Sequence, residues 1–280
     1  MRRSRFRLPS AWLALALASF AALACERRPA PPAGGIPAGS GPEAPPGAPA
    51  ASAPGPAAPV ASAPAGVEYL EVVTGGADAS EALPLVVALH GLGDRPESFA
   101  GLLSDADFKA RLIVPRGLTP HHDGYSWFPL RQALGGDDVG QGILRAAGAL
   151  AATIERIAAA RPTRGKAIVT GFSQGGALSF ALALHHPHAV GAAFPVGGWI
   201  PASVLPGARP LDPATPPLVA LHGELDRRVP IGPTREAVAA LRGLGAKARL
   251  ESYPDVGHSV SGDMRRDLMR LVRGAIDEMR

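Results

Sequence analysis

Residues 167–182 run Ala-Ile-Val-Thr-Gly-Phe-Ser-Gln-Gly-Gly-Ala-Leu-Ser-Phe-Ala-Leu, and no other stretch limits the chain's possible folds so tightly. The apolar, β-branched run up to Thr170 reads as a buried strand. Gly171-Phe172-Ser173-Gln174-Gly175 fills a Gly-x-Ser-x-Gly pattern, and the Ala/Leu-rich continuation reads as a helix. A serine on so sharp a strand-to-helix turn sits in a strained backbone, and glycine two positions to either side lets strand and helix approach. The turn exposes Ser173 at the sheet's edge. It also aims the amide of Gln174 at any oxyanion that forms on a substrate. In a chain with 34 glycines a pentad of this kind can arise by chance, so its meaning comes from the strand before it and the helix after it.

Upstream, the chain divides into zones. Residues 1–24 carry Arg2, Arg3, Arg5 and Arg7 and then an apolar run, the basic and hydrophobic regions of an export signal that is short for a membrane span. The run ends in Ala22-Leu23-Ala24-Cys25, which resembles the bacterial lipoprotein signal. That resemblance implies a diacylated Cys25 as the mature N-terminus, holding the protein to a membrane of the cell envelope. An ordinary secretory signal is the alternative reading. Cys25 is the chain's single cysteine, and a lone thiol has no internal disulfide to form. Residues 25–66 are almost wholly Pro, Ala, Gly and Ser, too poor in apolar surface to offset the cost of ordering, and are expected to form a disordered tether.

The formal net charge of +4 belongs to the signal alone. Without the signal and tether, residues 67–280 carry 22 basic and 22 acidic side chains. A neutral domain supplies no basic patch for nucleic acid.

Residues 67–280 form one domain in which strands and helices alternate. Strands are expected at 67–74, 84–90, 111–114, 190–196, 218–221 and 248–253, with helices at 98–104, 138–160, 233–244 and 264–279. Such alternation gives an α/β fold, a mostly parallel central sheet with helices on both faces and ligands at the strands' carboxyl ends.

Three loops at those ends carry chemistry. In His90-Gly91-Leu92-Gly93-Asp94 the glycines permit a tight loop whose amides, that of Leu92 above all, can point into a site. Asp226, just beyond the 218–221 strand, can accept an imidazole N–H and fix a base's tautomer, with Glu224 as competitor for that role. Arg227 and Arg228 read as a solvated pair or a clamp on Asp226. His258 lies in the loop after the last strand, so the chain order Ser173, Asp226, His258 suits a nucleophile, an acid and a general base. The histidine clusters His121-His122 and His185-His186-His188 lack the helical spacing and glutamate of a metal site, and neither a metal nor a cofactor is expected.

Together with Pro115-Arg116-Gly117, Ser126-Trp127-Phe128, His222-Gly223 and Val229-Pro230, these pieces resemble the phospholipase/carboxylesterase family of α/β-hydrolases, which includes bacterial carboxylesterases and acyl-protein thioesterases. The resemblance covers the whole of residues 67–280. It implies an α/β-hydrolase fold with Ser173 as nucleophile, His258 as base, Asp226 as orienting acid, the amides of Leu92 and Gln174 as oxyanion hole, and Trp127 lining the substrate pocket. Pro129 stands where the family often has an acidic residue, so the entrance loop 117–136 is expected to be the chain's own. The implied activity is serine-dependent hydrolysis of short- to medium-chain carboxylic esters, with lysophospholipids among the candidate substrates. Feruloyl esters, polyesters and acyl thioesters are alternatives on the same residues, and a lipid-anchored binding module is the non-catalytic one.

Overall fold

The computed structural model describes residues 66–130, 138–207 and 209–279. The residues expected to form the export signal, those of the expected tether except Gly66, Cys25, and residues 131–136 of the expected entrance loop lie outside the described residues. In chain order the elements are β1 (Tyr69–Val73), β2 (Leu83–Leu89), α1 (Pro96–Ala100), β3 (Arg111–Pro115), β4 (Thr119–His121), β5 (Gly124–Ser126), α2 (Asp138–Ala160), β6 (Thr163–Phe172), α3 (Gln174–His185), β7 (Val190–Val196), β8 (Leu218–Gly223), α4 (Ile231–Gly243), β9 (Ala248–Tyr253) and α5 (Gly262–Asp277).

Seven strands make one sheet in the order β1-β3-β2-β6-β7-β8-β9. All pair in parallel except β1, which runs antiparallel to β3 with Tyr69 opposite Pro115. Alternation along each strand splits the core in two. Leu85, Val87 and Leu89 of β2 join Val169 of β6, Ile143 and Leu150 of α2, Leu178 of α3 and Leu241 of α4 on one face. Val86, Ala88, Ile168 and Leu221 join Phe99 of α1 and Met264, Leu268, Val272 and Ile276 of α5 on the other. The four-residue spacing in α5 puts one stripe on the sheet, and the Ser261 hydroxyl caps the helix by accepting from the Met264 amide at 3.2 Å. Central strands buried on both faces read as unbroken apolar runs, as β2 does.

Two local outcomes differ from expectation. The helix expected over 98–104 begins at Pro96, whose fixed φ suits the first helical position, and stops at Ala100. The stretch expected to be an entrance loop contains a hairpin, β4 paired with β5. A buried charge also joins the two antiparallel strands. Arg111 of β3, 1 % exposed, bonds the carboxylate of Glu71 in β1 and the carbonyl of Ala79 at 2.8 Å.

Candidate active site

The site is assembled from loops at the carboxyl ends of β2, β6, β8 and β9. Ser173 stands between β6 and α3 at φ 56°, ψ −111°, in the left-handed half of backbone space that side chains disfavour. Its amide donates to the Val196 carbonyl at 3.0 Å, and its carbonyl accepts the first helical bond from Ala177 at 3.0 Å, so the turn is held from both sides. A Cβ on Gly175 would stand 1.9 Å from the Leu89 carbonyl oxygen, and one on Gly171 would stand 2.6 Å from Gly175. The pentad's glycines are therefore required by the closeness of β2, β6 and α3.

From Ser173 a line of hydrogen bonds runs inward. His258 Nε2 lies 3.0 Å from Ser173 Oγ, and His258 Nδ1 lies 2.7 Å from Asp226 Oδ2. Because a carboxylate only accepts, Nδ1 carries the proton and Nε2 is left to accept from the hydroxyl. The Asp226 side chain is 1 % exposed, and its second oxygen accepts from the amides of Arg228 at 2.9 Å and Val229 at 2.8 Å. The expected clamp on Asp226 is thus made by backbone; both arginine side chains face solvent. Glu224 pairs with Arg235 at 3.1 Å, so the carboxylate bonded to the imidazole is that of Asp226. The Phe172 ring packs on the His258 imidazole with centroids 4.7 Å apart.

The amides of Leu92 and Gln174 donate to no protein acceptor among the described residues. Flanking contacts fix the Leu92 loop: Gly93 donates to the Tyr125 carbonyl at 2.8 Å, and Tyr125 donates to the Asp94 carbonyl at 3.0 Å. Gln174 does more than offer its amide. Its buried carboxamide accepts from the Trp127 amide at 3.0 Å and donates to the Phe128 carbonyl at 2.9 Å, tying the elbow to the loop after β5.

Trp127, expected in the substrate pocket, is 2 % exposed, and its indole N–H donates to the His90 carbonyl at 2.9 Å. It lies beneath the loops as a support and offers almost no surface to a ligand. His90 is fully buried. Its Nδ1–H donates to the Gly91 carbonyl at 2.7 Å and its Nε2 accepts from the Gly117 amide at 3.0 Å. Burial holds its pKa below the usual histidine value.

One supporting residue had no role assigned from sequence. His222, fully buried at the end of β8, donates from Nε2 to the Val229 carbonyl at 2.8 Å. It thereby braces the turn whose amides hold Asp226, and desolvation keeps it neutral by lowering its pKa. The His-Gly pair before Asp226 was the available signal. Elsewhere, His185, the last residue of α3, bonds the Val204 carbonyl, and His188 faces Asp212.

The model of the phospholipase/carboxylesterase family matches residues 68–275. A rice (Oryza sativa subsp. japonica) protein named a probable inactive carboxylesterase is 31 % identical over 192 residues, covering 62 % of this chain and 78 % of its own. The acyl-protein thioesterase 1 of Gibberella zeae is 25 % identical, covering 65 % and 86 %. Among solved structures, esterase PE8 superposes with a TM-score of 0.59 at 26 % identity, over 75 % of this chain and 98 % of its own. Since a relative can bear the name inactive, membership alone does not assign the roles of individual residues; geometry must carry them. The chain belongs to the phospholipase/carboxylesterase family and is a carboxylic ester hydrolase of α/β-hydrolase fold.

Proposed function

We propose that this chain hydrolyses short- to medium-chain carboxylic esters through an acyl-enzyme on Ser173. The observation that carries the reading is the continuous series Ser173 Oγ, His258 and Asp226, with hydrogen bonds of 3.0 and 2.7 Å. His258 Nε2 takes the hydroxyl proton as Oγ attacks the ester carbonyl carbon, and the amides of Leu92 and Gln174 hold the negative oxygen of the tetrahedral species. Asp226 stabilises the imidazolium and stays ionised. Collapse breaks the bond to the alkoxy oxygen, which leaves as alcohol with the proton from Nε2. Water, deprotonated by the same nitrogen, attacks the acyl carbon and releases the acid, and Ser173 recovers its proton.

The thioesterase among the relatives favours an acyl thioester as the second substrate class, since the same attack expels a thiol. Parallel turnover of matched oxygen esters and thioesters by wild-type and Ser173→Ala protein tests both. Loss of about 10⁴-fold or more in the variant supports the assignment, and retention of most activity overturns it.

We further propose that Cys25 is lipidated and anchors the domain to the cell envelope through residues 26–66. The basic and apolar leader ending in Ala22-Leu23-Ala24-Cys25 supports this. Cys25→Ala should move the protein out of the membrane fraction. Unchanged membrane retention and mass would refute it.

A further inference from the structure

The large apolar side chains left exposed among the described residues are Leu92, Leu118, Leu130 and Leu225, open by 37, 44, 50 and 59 %. Single exposed leucines scattered over a domain need no explanation. These four are not scattered. Leu92 follows β2, Leu118 follows β3, Leu225 follows β8, and Leu130 follows the Trp127-Phe128 segment that Gln174 holds beside the elbow. All lie at the edge of the sheet that presents Ser173. The strands β3 and β8 are four steps apart, so the strand ends followed by Leu118 and Leu225 are separated by about 19 Å, with β6, which leads to Ser173, between them.

Two further observations concern what could cover this edge. Immediately after Leu225 and the inward-turned Asp226 come Arg227 and Arg228, both exposed and without an ion-pair partner among the described residues. An exposed leucine beside free guanidinium groups suits a boundary where apolar chains meet phosphate. The second concerns where the chain enters the domain. Because β1 is antiparallel, Tyr69 lies opposite Pro115 at the carboxyl end of β3, and the Glu68 carbonyl accepts from the Arg116 amide. From Glu68 the chain leads back onto α2, where the Val67 amide donates to the Thr153 hydroxyl at 3.3 Å.

We propose that this edge docks on a lipid bilayer containing anionic phospholipid, with the leucines entering the headgroup layer and Arg227 and Arg228 meeting phosphates. The site then receives acyl esters at the membrane surface. Only that last consequence rests on the ester-hydrolase reading; docking itself does not need Ser173.

The test uses residues 26–280, which contain every described element and lack the leader and Cys25, in a Ser173→Ala background. The protein is pelleted with vesicles of phosphatidylcholine alone or with about one third phosphatidylglycerol. Binding should be about tenfold tighter to the anionic vesicles, and Arg227→Gln with Arg228→Gln should abolish that preference. The triple variant Leu118→Ser, Leu130→Ser, Leu225→Ser should bind at least about tenfold more weakly. Leu92 is left intact because its amide faces the site. In the Ser173 form the triple variant should keep its hydrolysis of a water-soluble ester, which shows it folded. A parent that does not pellet, a triple variant that pellets as well as the parent, or leucine-dependent self-association without vesicle binding would overturn the proposal. A Ser173 form that pellets through the leucines yet hydrolyses no ester would support docking and refute the catalytic reading.

Discussion

Nε2 of His222 stands 3.5 Å from Oδ2 of Asp226 while it donates to the Val229 carbonyl at 2.8 Å. The imidazole thus touches the turn at two points, and the same turn supplies the two amides that hold Oδ1 of Asp226. Its contribution is positional, through Asp226 to His258. His222→Leu removes the donor and leaves a buried carbonyl unpaired, at a cost of about 1–3 kcal/mol in stability. Because the carboxylate then loses its fixed aim, kcat should fall about tenfold with KM little changed, and His222→Gln should restore part of it. An unaltered kcat in a destabilised His222→Leu protein would reduce the residue to a structural role.

The elbow glycines make a contrasting prediction. Gly175→Ala places a methyl 1.9 Å from the Leu89 carbonyl, inside a contact between α3 and β2 that has no flexible partner to yield. A loss of about 3 kcal/mol or failure to fold is expected. Gly274→Ala, in the interior of α5 with nothing within 4 Å of the new methyl, should stabilise by about 0.5–1 kcal/mol. Denaturant midpoints of the two variants check both directions.

Arg111 is buried against Glu71, whose other oxygen lies 3.5 Å from Arg161. Removing the carboxylate leaves an uncompensated guanidinium between β1 and β3. Glu71→Ala should cost about 3 kcal/mol, whereas Glu81→Ala, which breaks the exposed pair with Lys109, should cost under about 1 kcal/mol. Urea denaturation distinguishes the two.

Buried imidazoles set a pH dependence of stability. His90 and His222, and the half-buried His186, all have pKa values lowered chiefly by loss of solvent. In His90 both ring nitrogens are engaged, one donating and one accepting, so a second proton would cost the Gly117 bond. The unfolded chain therefore binds protons that the folded chain resists as the pH drops through the ordinary value of 6.5. Stability should be full above that value and decline below it, before carboxylates titrate. Melting temperatures between about pH 8 and about pH 5 should show the fall, with a shallower slope in His222→Gln. A flat profile would contradict the assignment of neutral buried rings.

Much of this arrangement could be read directly from residues. The elbow was legible because strand, pentad and helix are contiguous, and β7 and β9 because apolar or alternating runs are bounded by turn residues. Chain order alone brought out Asp226 and His258, which lie 32 residues apart and meet only in three dimensions. The supports were not legible for the same reason. Gln174 reaches Trp127 across 47 residues and His90 reaches Gly117 across 27, contacts between loops that no local period encodes. Trp127 was expected at the substrate because the family resemblance carried by Ser126-Trp127-Phe128 implied it. Its indole N–H instead has a buried partner, a matter of packing. Arg111 sat within a strand-like run, and its burial depended on Glu71 forty residues earlier. The four leucines look like ordinary loop residues until the sheet order sets them around one edge.

The most direct measurement of the central claim is the intact mass of the protein after treatment with a fluorophosphonate, followed by peptide mapping. One adduct per chain, carried by Ser173, is predicted, and it should be absent from Ser173→Ala and strongly slowed in His258→Ala. Folded wild-type protein that gains no mass, or gains it at another residue, would contradict the account.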